Sequence, residues 1–126
     1  MKIKMFHNIN FEKSTAKHIK IPRIWFNKEY TKIDFGFDYT KIKYLNDTAT
    51  SLKINPDIFI KTDNKEYKLT SAKIYKKAYF KKASDYRYFS LYFEPIEEDL
   101  DYINIIDKNR SEDLLPFGFK KIDLTY

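Results

Sequence analysis

The stretch YFSLYFEPI, residues Tyr88–Ile96, decides the fold. Large apolar side chains occupy every second position from Phe89 to Phe93. Because a β-strand turns successive side chains to opposite faces, this pattern predicts a strand with one apolar face and one solvent-facing side that includes Ser90. Pro95 has no amide hydrogen to donate to a neighbouring strand, so the strand is expected to end before it.

A second alternating stretch, Thr31–Thr40, predicts a partner for this strand. Its apolar positions run from Ile33 through Phe35 and Phe37 to Tyr39, with polar residues or Gly between them. Further short strands, separated by turn signals at intervals of roughly 8–12 residues, are typical of all-β folds. The sequence therefore predicts a single domain over residues 1–126, an antiparallel β-sandwich of about seven to nine strands.

Several local signals refine this prediction. Pro22 shifts the apolar pattern of residues 19–26, which indicates a β-bulge or an edge position. Asp63-Asn64 lies between two strand candidates, which predicts a hairpin turn whose residues can adopt left-handed backbone geometry. The spacing of Phe119 and Ile122 indicates another bulge. We expect Trp25 to anchor the core, in preference to forming a ligand platform, because apolar residues flank it.

Composition excludes several classes of protein. The chain has 126 residues, of which 43% are hydrophobic and 18% aromatic, too many for a disordered chain. It has 2 Gly and no Cys, which excludes glycine-rich phosphate loops, disulfides and cysteine nucleophiles. The formal net charge of +6 admits an acidic partner such as nucleic acid, but the lysines are scattered among acidic residues.

The sequence contains neither a signal peptide nor an apolar stretch long enough for a membrane helix. Residues 1–7 carry charge but no apolar segment follows them. No apolar run approaches the ~18 residues of a membrane-spanning helix. Membrane insertion is therefore not expected. The compartment stays open: cytoplasmic as the chain is written, or exported if it comes from a longer precursor.

A lysine- and tyrosine-rich segment provides the candidate binding surface. Base stacking combined with phosphate attraction would use such a mixture, and so would a sheet edge that lysines protect from pairing with other chains. We favour the protected edge and keep nucleic-acid or polyanion binding as an alternative. The candidate surface consists of Lys73, Tyr75, Lys76, Lys77, Tyr79, Lys81 and Lys82.

No catalytic, cofactor-binding or metal site is predicted. His7 and His18, the two histidines, have a spacing that fits no usual metal site. A Ser-His-Asp arrangement can be composed from the residues present, but no nucleophile motif supports it. An acidic cluster could hold Ca²⁺ through its oxygens, although a solvated loop is favoured. That cluster consists of Glu94, Glu97, Glu98, Asp99 and Asp101.

The second half of the chain resembles a known family of domains. The resemblance rests on Asp63–Ala72, Phe89–Ile96, Tyr102–Ile106 and Phe117–Leu124, and it extends over Ile24–Leu124. These segments look like D-G-K-x-Y-x-L-x-x-A, F-x-L-x-F-x-P-L-P, F-D-F-I-E and F-x-I-x-G-I. Such motifs occur in the Ig-like β-sandwich domain that precedes thioredoxin-like domains in many Bacteroidetes secreted proteins.

The resemblance implies a non-catalytic accessory module of a bacterial protein, with another protein as the expected partner. The chain departs from the family pattern in three places: Asn64 stands where Gly is usual, Ile96-Glu97 replaces Leu-Pro, and Asp107 is the acidic residue after Ile106. Redox activity does not carry over, because the chain has no Cys-x-x-Cys. Carbohydrate or small-ligand binding through exposed aromatic residues is a second alternative.

Overall fold

A computed structural model describes residues 4–14, 19–38, 56–75, 86–107 and 118–124, which form nine antiparallel strands. The strands are β1 (Lys4–Ile9), β2 (Phe11–Ser14), β3 (Ile19–Phe26), β4 (Thr31–Asp38), β5 (Phe59–Lys61), β6 (Glu66–Tyr75), β7 (Tyr86–Phe93), β8 (Tyr102–Ile106) and β9 (Phe119–Asp123). Over these ranges there is no helix, and hence none that could span a membrane. The all-β prediction is confirmed.

The nine strands form one continuous sheet in the order β1-β3-β4-β7-β6-β5-β8-β9-β2. Strand β6 joins its two halves, because Tyr67 pairs with Ile60 of β5 whereas Lys73 pairs with Ser90 of β7. The register shifts at Thr70, and such a bulge bends and twists a strand. The sheet therefore curls at β6, and the two-layer Ig-like sandwich stays a prediction.

The two ends of the strand order lie close together. Strands β1 and β2 occupy opposite ends of the order, yet only Asn10 separates them in the chain. One intervening residue spans at most about 7 Å of extended chain, counted over two Cα–Cα steps. Asn10 also accepts a hydrogen bond from the backbone amide of Asp123 in β9 (2.8 Å). The curled sheet thus brings its first and last strands together at Asn10.

The core lies inside this curl. Phe35 of β4 stacks on Phe89 of β7 at 5.1 Å and also contacts Phe119 of β9 at 5.6 Å between ring centroids. Strands β4 and β9 are five steps apart in the order, about 24 Å in a flat sheet. A ring contact across that separation requires the sheet to fold over. The fully buried side chains include Phe35, Phe89, Phe93, Phe119, Ile21, Ile24, Ile33, Ile58, Ile60, Leu91 and Ile96.

The two strands that the sequence predicts most directly are central neighbours. Phe35 lies opposite Phe89 and Ile33 opposite Leu91 in the β4–β7 register, with all four side chains buried. The side chain of Phe37 and all of Tyr39 lie outside the described part of the chain. Strand β7 ends at Phe93, before Pro95, as expected.

Both predicted bulges are present. Strand β3 loses register with β4 between Lys20 and Arg23, around Pro22, which lets Ile21 and Ile24 both reach the core. Strand β9 loses register with β8 near Lys121, whose φ of 51° is left-handed. An extra residue in one strand is what allows core positions three apart to share a face.

The hairpin at Asp63-Asn64 forms, without the left-handed backbone geometry that Asp and Asn make available. Lys121 is the non-Gly residue with positive φ in the described ranges, so Asn64 does not adopt that conformation. Instead, the Thr62 Oγ1 accepts hydrogen bonds from the amides of Asn64 (3.3 Å) and Lys65 (3.1 Å). A side-chain cap of this kind holds the turn without a residue of positive φ.

Asn27 holds the β3–β4 turn in the same way. Its Oδ1 accepts hydrogen bonds from the amides of Glu29 (2.8 Å) and Tyr30 (2.9 Å). We expect Asn27→Ala to lower the free energy of unfolding by about 1 kcal/mol, since two amides lose their acceptor. Urea denaturation tests this, with the exposed Lys28→Ala as control. Equal stability of both variants and the wild type would show that water replaces the cap at no cost.

Candidate binding site

The structure describes only part of the candidate lysine–tyrosine surface. Lys73 is exposed on β6, and Tyr75 is the last residue of that strand. The other five residues, Lys76, Lys77, Tyr79, Lys81 and Lys82, lie outside the described residues. The position of Lys73 in the sheet therefore decides which side chains can join it in a site.

Lys73 ends a line of polar residues that crosses five strands. Adjacent strands pair His7 with Arg23, Arg23 with Asp34, Asp34 with Ser90, and Ser90 with Lys73. Directly opposite residues of antiparallel strands share a face, so all five lie on the outer surface of β1-β3-β4-β7-β6. We call this line the polar row. His7 and Lys73 at its ends are exposed, whereas Asp34 and Ser90 at its centre are buried.

Asp34 organises the centre of the polar row. Its Oδ2 accepts a hydrogen bond from Arg23 Nε at 2.7 Å, and its Oδ1 accepts one from Ser90 Oγ at 2.5 Å. Lys32 Nζ lies 3.7 Å from the same Oδ1. The solvent-facing position expected for Ser90 is wrong in one respect: the residue is on the outer face, but it is fully buried. A buried carboxylate with several donors is strongly held and fixes the cations around it.

Aromatic side chains lie beside the polar row on the same face. The Arg23 guanidinium lies 5.9 Å from the Trp25 ring centroid, and Lys32 Nζ lies 5.8 Å from that of Tyr92. Tyr30 meets Tyr92 edge-to-face at 5.1 Å. Both cations are within the ~6 Å range of cation–π attraction. We call Trp25, Tyr92, Tyr30 and the polar row together the outer face.

The expectation that Trp25 anchors the core is wrong. It is half-buried on the outer face, while Ile24 and Phe26 on either side of it are buried in the core. Because side chains alternate along a strand, apolar neighbours at both adjacent positions place a residue on the opposite face. The Trp25 Nε1 is also buried and has no hydrogen-bond partner among the described residues, which costs roughly 1–3 kcal/mol.

The geometry of the outer face does not assemble a Ser-His-Asp triad. Ser90 and Asp34 are in contact, but His7 is three strand positions from Ser90 along the polar row. That distance is about 14 Å at the usual strand spacing, far beyond hydrogen-bond reach. Ser90 is also fully buried.

The predicted acidic cluster separates into individual contacts. Glu94 accepts a hydrogen bond from the Lys68 amide (2.7 Å), Glu98 accepts one from the Tyr67 hydroxyl (2.8 Å), and Asp99 pairs with Lys4. Within the described ranges no group of three metal-binding side chains converges. The carboxylates are thus spread along a loop instead of enclosing an ion.

The pKa of the Tyr67 hydroxyl is raised by burial and by the negative charge of this loop. Burial raises its pKa, and so do the hydrogen bond to Glu98 and the nearby charges of Glu98, Glu97 and Glu94, to about 12. The unfolded value is about 10, so the stabilisation is complete below pH 10 and is lost as pH rises towards 12.

We expect the free energy of unfolding to fall between pH 10 and pH 12 through this group, by at most about 1.4 kcal/mol per pH unit. Tyr67→Phe has no ionisable hydroxyl, so its free energy of unfolding should lack this dependence on pH. The difference in stability between the wild type and the variant should therefore shrink as pH rises from 9 to 11.5. Urea titrations at fixed pH measure this. Parallel pH profiles for the two proteins would show that Tyr67 ionises normally.

Comparison with known proteins finds no match to this chain among protein-family models, curated proteins or solved structures. The resemblance to Ig-like accessory domains therefore stays a prediction.

The sequence did contain a signal for the outer face. In the predicted strand Thr31–Thr40, the charged residues Lys32 and Asp34 occupy positions facing away from the core. What the sequence lacks is the order of the strands. Ser90 is 56 positions from Asp34 in the chain, and only the β4–β7 pairing brings it to the Asp34 and Arg23 side chains.

Proposed function

We propose that this chain is a non-catalytic interaction domain that binds an acidic segment of a partner protein through its outer face. The clustering of Trp25, Tyr92 and Arg23 on one side of the sheet carries this proposal. Trp, Tyr and Arg are the residue types that dominate binding energy at protein interfaces, where they cluster near the centre. Exposed residues, such as Lys73 and His7, surround the cluster.

Preorganisation supports binding through this face. Asp34 fixes Arg23 through a 2.7 Å hydrogen bond, and cation–π contacts orient Lys32 against Tyr92. Side chains that are already ordered lose less conformational entropy when a partner binds, so more of the contact energy contributes to affinity. The exposed Lys73 adds positive charge at the end of the polar row, which favours an acidic partner.

Nucleic-acid or polyanion binding is the second candidate. The mixture of cations and aromatic rings on the outer face, with Lys73 leading into the lysine-rich segment that ends at Lys82, favours it. Against it, Asp34 places a carboxylate at the centre of the row and pairs with both Arg23 and Lys32. Nucleic-acid interfaces are much more strongly positive than this.

Carbohydrate binding has weaker support. A sugar ring would need to stack on the face of an aromatic side chain. The rings of Trp25 and Tyr92 already carry the cations of Arg23 and Lys32. A glycan would have to displace these groups, whereas an acidic side chain can approach the Arg23 guanidinium, whose side chain is 38% exposed.

Selection from a random peptide library displayed on phage, using the intact protein as target, tests the function. We expect the enriched peptides to be acidic, to change the fluorescence of Trp25, the sole tryptophan, and to bind less tightly as salt rises. Enrichment of neutral or basic peptides would contradict the proposal. Salt-sensitive binding of a single-stranded oligonucleotide, without peptide binding, would favour the second candidate instead.

A further inference from the structure

A partly open cavity of about 410 Å³ lies at the end of the molecule where β1 begins. Its floor is apolar and buried: Phe6, Phe26, Ile96 and Leu124 are each at most 9% exposed. The rings of Phe6 and Phe26 meet edge-to-face at 5.8 Å. Cavities of this size with a mainly apolar lining are typical of small-ligand sites.

The rim of the cavity is acidic. Glu97, Glu98 and Asp99 line it in succession, although the protein as a whole carries a formal net charge of +6. The Glu98 carboxylate is held in place by the Tyr67 hydroxyl (2.8 Å). Within the described residues, the exposed Glu97 carboxylate forms no hydrogen bond or ion pair. The rim therefore offers one fixed and one unengaged negative group above an apolar floor.

The side chain of Lys4 is an example of an organic cation beside this acidic rim. It lines the cavity, and its ammonium group pairs with Asp99. An alkyl chain that ends in an ammonium group thus already occupies one side of the opening. The side chain combines an apolar stem with a cationic end, which matches the apolar floor and acidic rim.

We infer that the cavity binds a small amphipathic organic cation, with a protonated amine at Glu97 and Glu98 and an apolar body on Phe6 and Phe26. Charge complementarity argues against an anionic ligand, since three carboxylates line the opening. A metal ion is a poor fit, because among the described residues no three metal-binding side chains converge on one point. The cavity is separate from the outer face, so this inference does not depend on the proposed function.

Three probes of similar shape test the inference: 4-phenylbutylammonium, neutral 4-phenylbutanol and anionic 4-phenylbutyrate. Binding to the intact protein is followed by NMR shifts of the Leu100 and Leu124 methyl groups and the amides of residues 97–99. We expect the ammonium probe to shift these signals and to bind about 5-fold more tightly than the alcohol, with the anion weakest. Equal affinities, or no shifts from any probe, would overturn the inference.

Matched variants locate the charge effect. Glu97→Gln should weaken ammonium binding about 3-fold and leave alcohol binding unchanged, because the substitution removes charge from an exposed side chain without changing its shape. Glu29→Gln, in the β3–β4 turn and outside the cavity lining, is the control. If both variants behave alike, Glu97 does not recognise the amine and the inference fails.

Lys4→Met keeps the apolar stem but removes the ammonium that pairs with Asp99. We expect this variant to bind the ammonium probe about 2- to 3-fold more tightly, since a competing internal cation is gone. A lysine-containing peptide provides the last comparison. If it shifts the same signals and binds more than tenfold more tightly than the ammonium probe, the cavity is a docking site for a protein side chain and the small-molecule assignment is wrong.

Discussion

Phe35→Ala is expected to lower the free energy of unfolding by about 3–5 kcal/mol, the range for removing a fully buried phenylalanine. Phe35 is 0% exposed, stacks on Phe89 at 5.1 Å and contacts Phe119 at 5.6 Å. Truncation removes both contacts and leaves a cavity at the centre of the curl. Urea denaturation measures the loss. Phe59→Ala, at a half-buried position in β5, is the matched control and should cost much less.

The contact between Phe35 and Phe119 allows a direct test of whether the sheet folds over. In a double-mutant cycle with leucine at both positions, we expect a coupling energy of about 0.5–1.5 kcal/mol, as for other aromatic pairs in contact. The two residues belong to strands that a flat sheet would hold about 24 Å apart. A coupling energy near zero would mean that the sheet does not fold over as described.

Asp34→Ala is the second substitution that we expect to lower the free energy of unfolding by a large amount. Its carboxylate is buried, and it accepts hydrogen bonds from Arg23 and Ser90 at 2.7 and 2.5 Å. Removing one partner of a buried ion pair costs about 3–5 kcal/mol, but the Arg23 side chain is 38% exposed and can rehydrate. We therefore expect a loss of about 2–3 kcal/mol.

The control for Asp34 is Asp63→Ala, which removes an exposed carboxylate in the β5–β6 turn. Thermal or urea unfolding should show little change for that variant, as is usual for surface charges. A loss below about 0.5 kcal/mol for Asp34→Ala would mean that the Asp34 contacts behave like an ordinary surface ion pair.

Much of the fold could be predicted because alternation is a local property of the chain. The apolar positions of β4 and β7 identified two strands that are central neighbours, and Pro22 marked a real bulge. Each of these signals depends on a few consecutive residues. The way in which β6 pairs with both β5 and β7 was not predictable, since it depends on contacts between distant segments.

The predicted positions of Trp25 and Ser90 were wrong because a local pattern does not show what packs against each face of a strand. Trp25 was expected in the core because its neighbours are apolar, although strand alternation places it on the opposite side from Ile24 and Phe26. Ser90 was expected to face solvent because it lies on the polar side of β7. It is buried beside Asp34, a residue 56 positions away in the chain. Burial on the outer face of a sheet depends on neighbours that a single strand does not reveal.

The candidate site also contains residues that the local sequence indicates and residues that only the fold brings together. Lys73 was identified from its lysine- and tyrosine-rich surroundings, and it does lie at the end of a line of polar side chains. Arg23 and Asp34 were not identified, because nothing near them in the sequence resembles a motif. The run of acidic residues at 97–99 is visible in the sequence, but the cavity that it borders is not, because Phe6, Phe26 and Leu124 of the cavity lining are distant in the chain.

Charge reversal at Lys73 tests most directly the claim that the outer face binds an acidic partner. The measurement is the dissociation constant of a library-selected acidic peptide, followed by Trp25 fluorescence, for wild type, Lys73→Glu and Lys68→Glu. Both lysines are exposed on β6, but Lys68 lies in the half that pairs with β5, outside the polar row. We expect Lys73→Glu to weaken binding about 3- to 10-fold and Lys68→Glu to leave it unchanged. Equal effects of the two reversals, or none from either, would contradict the account.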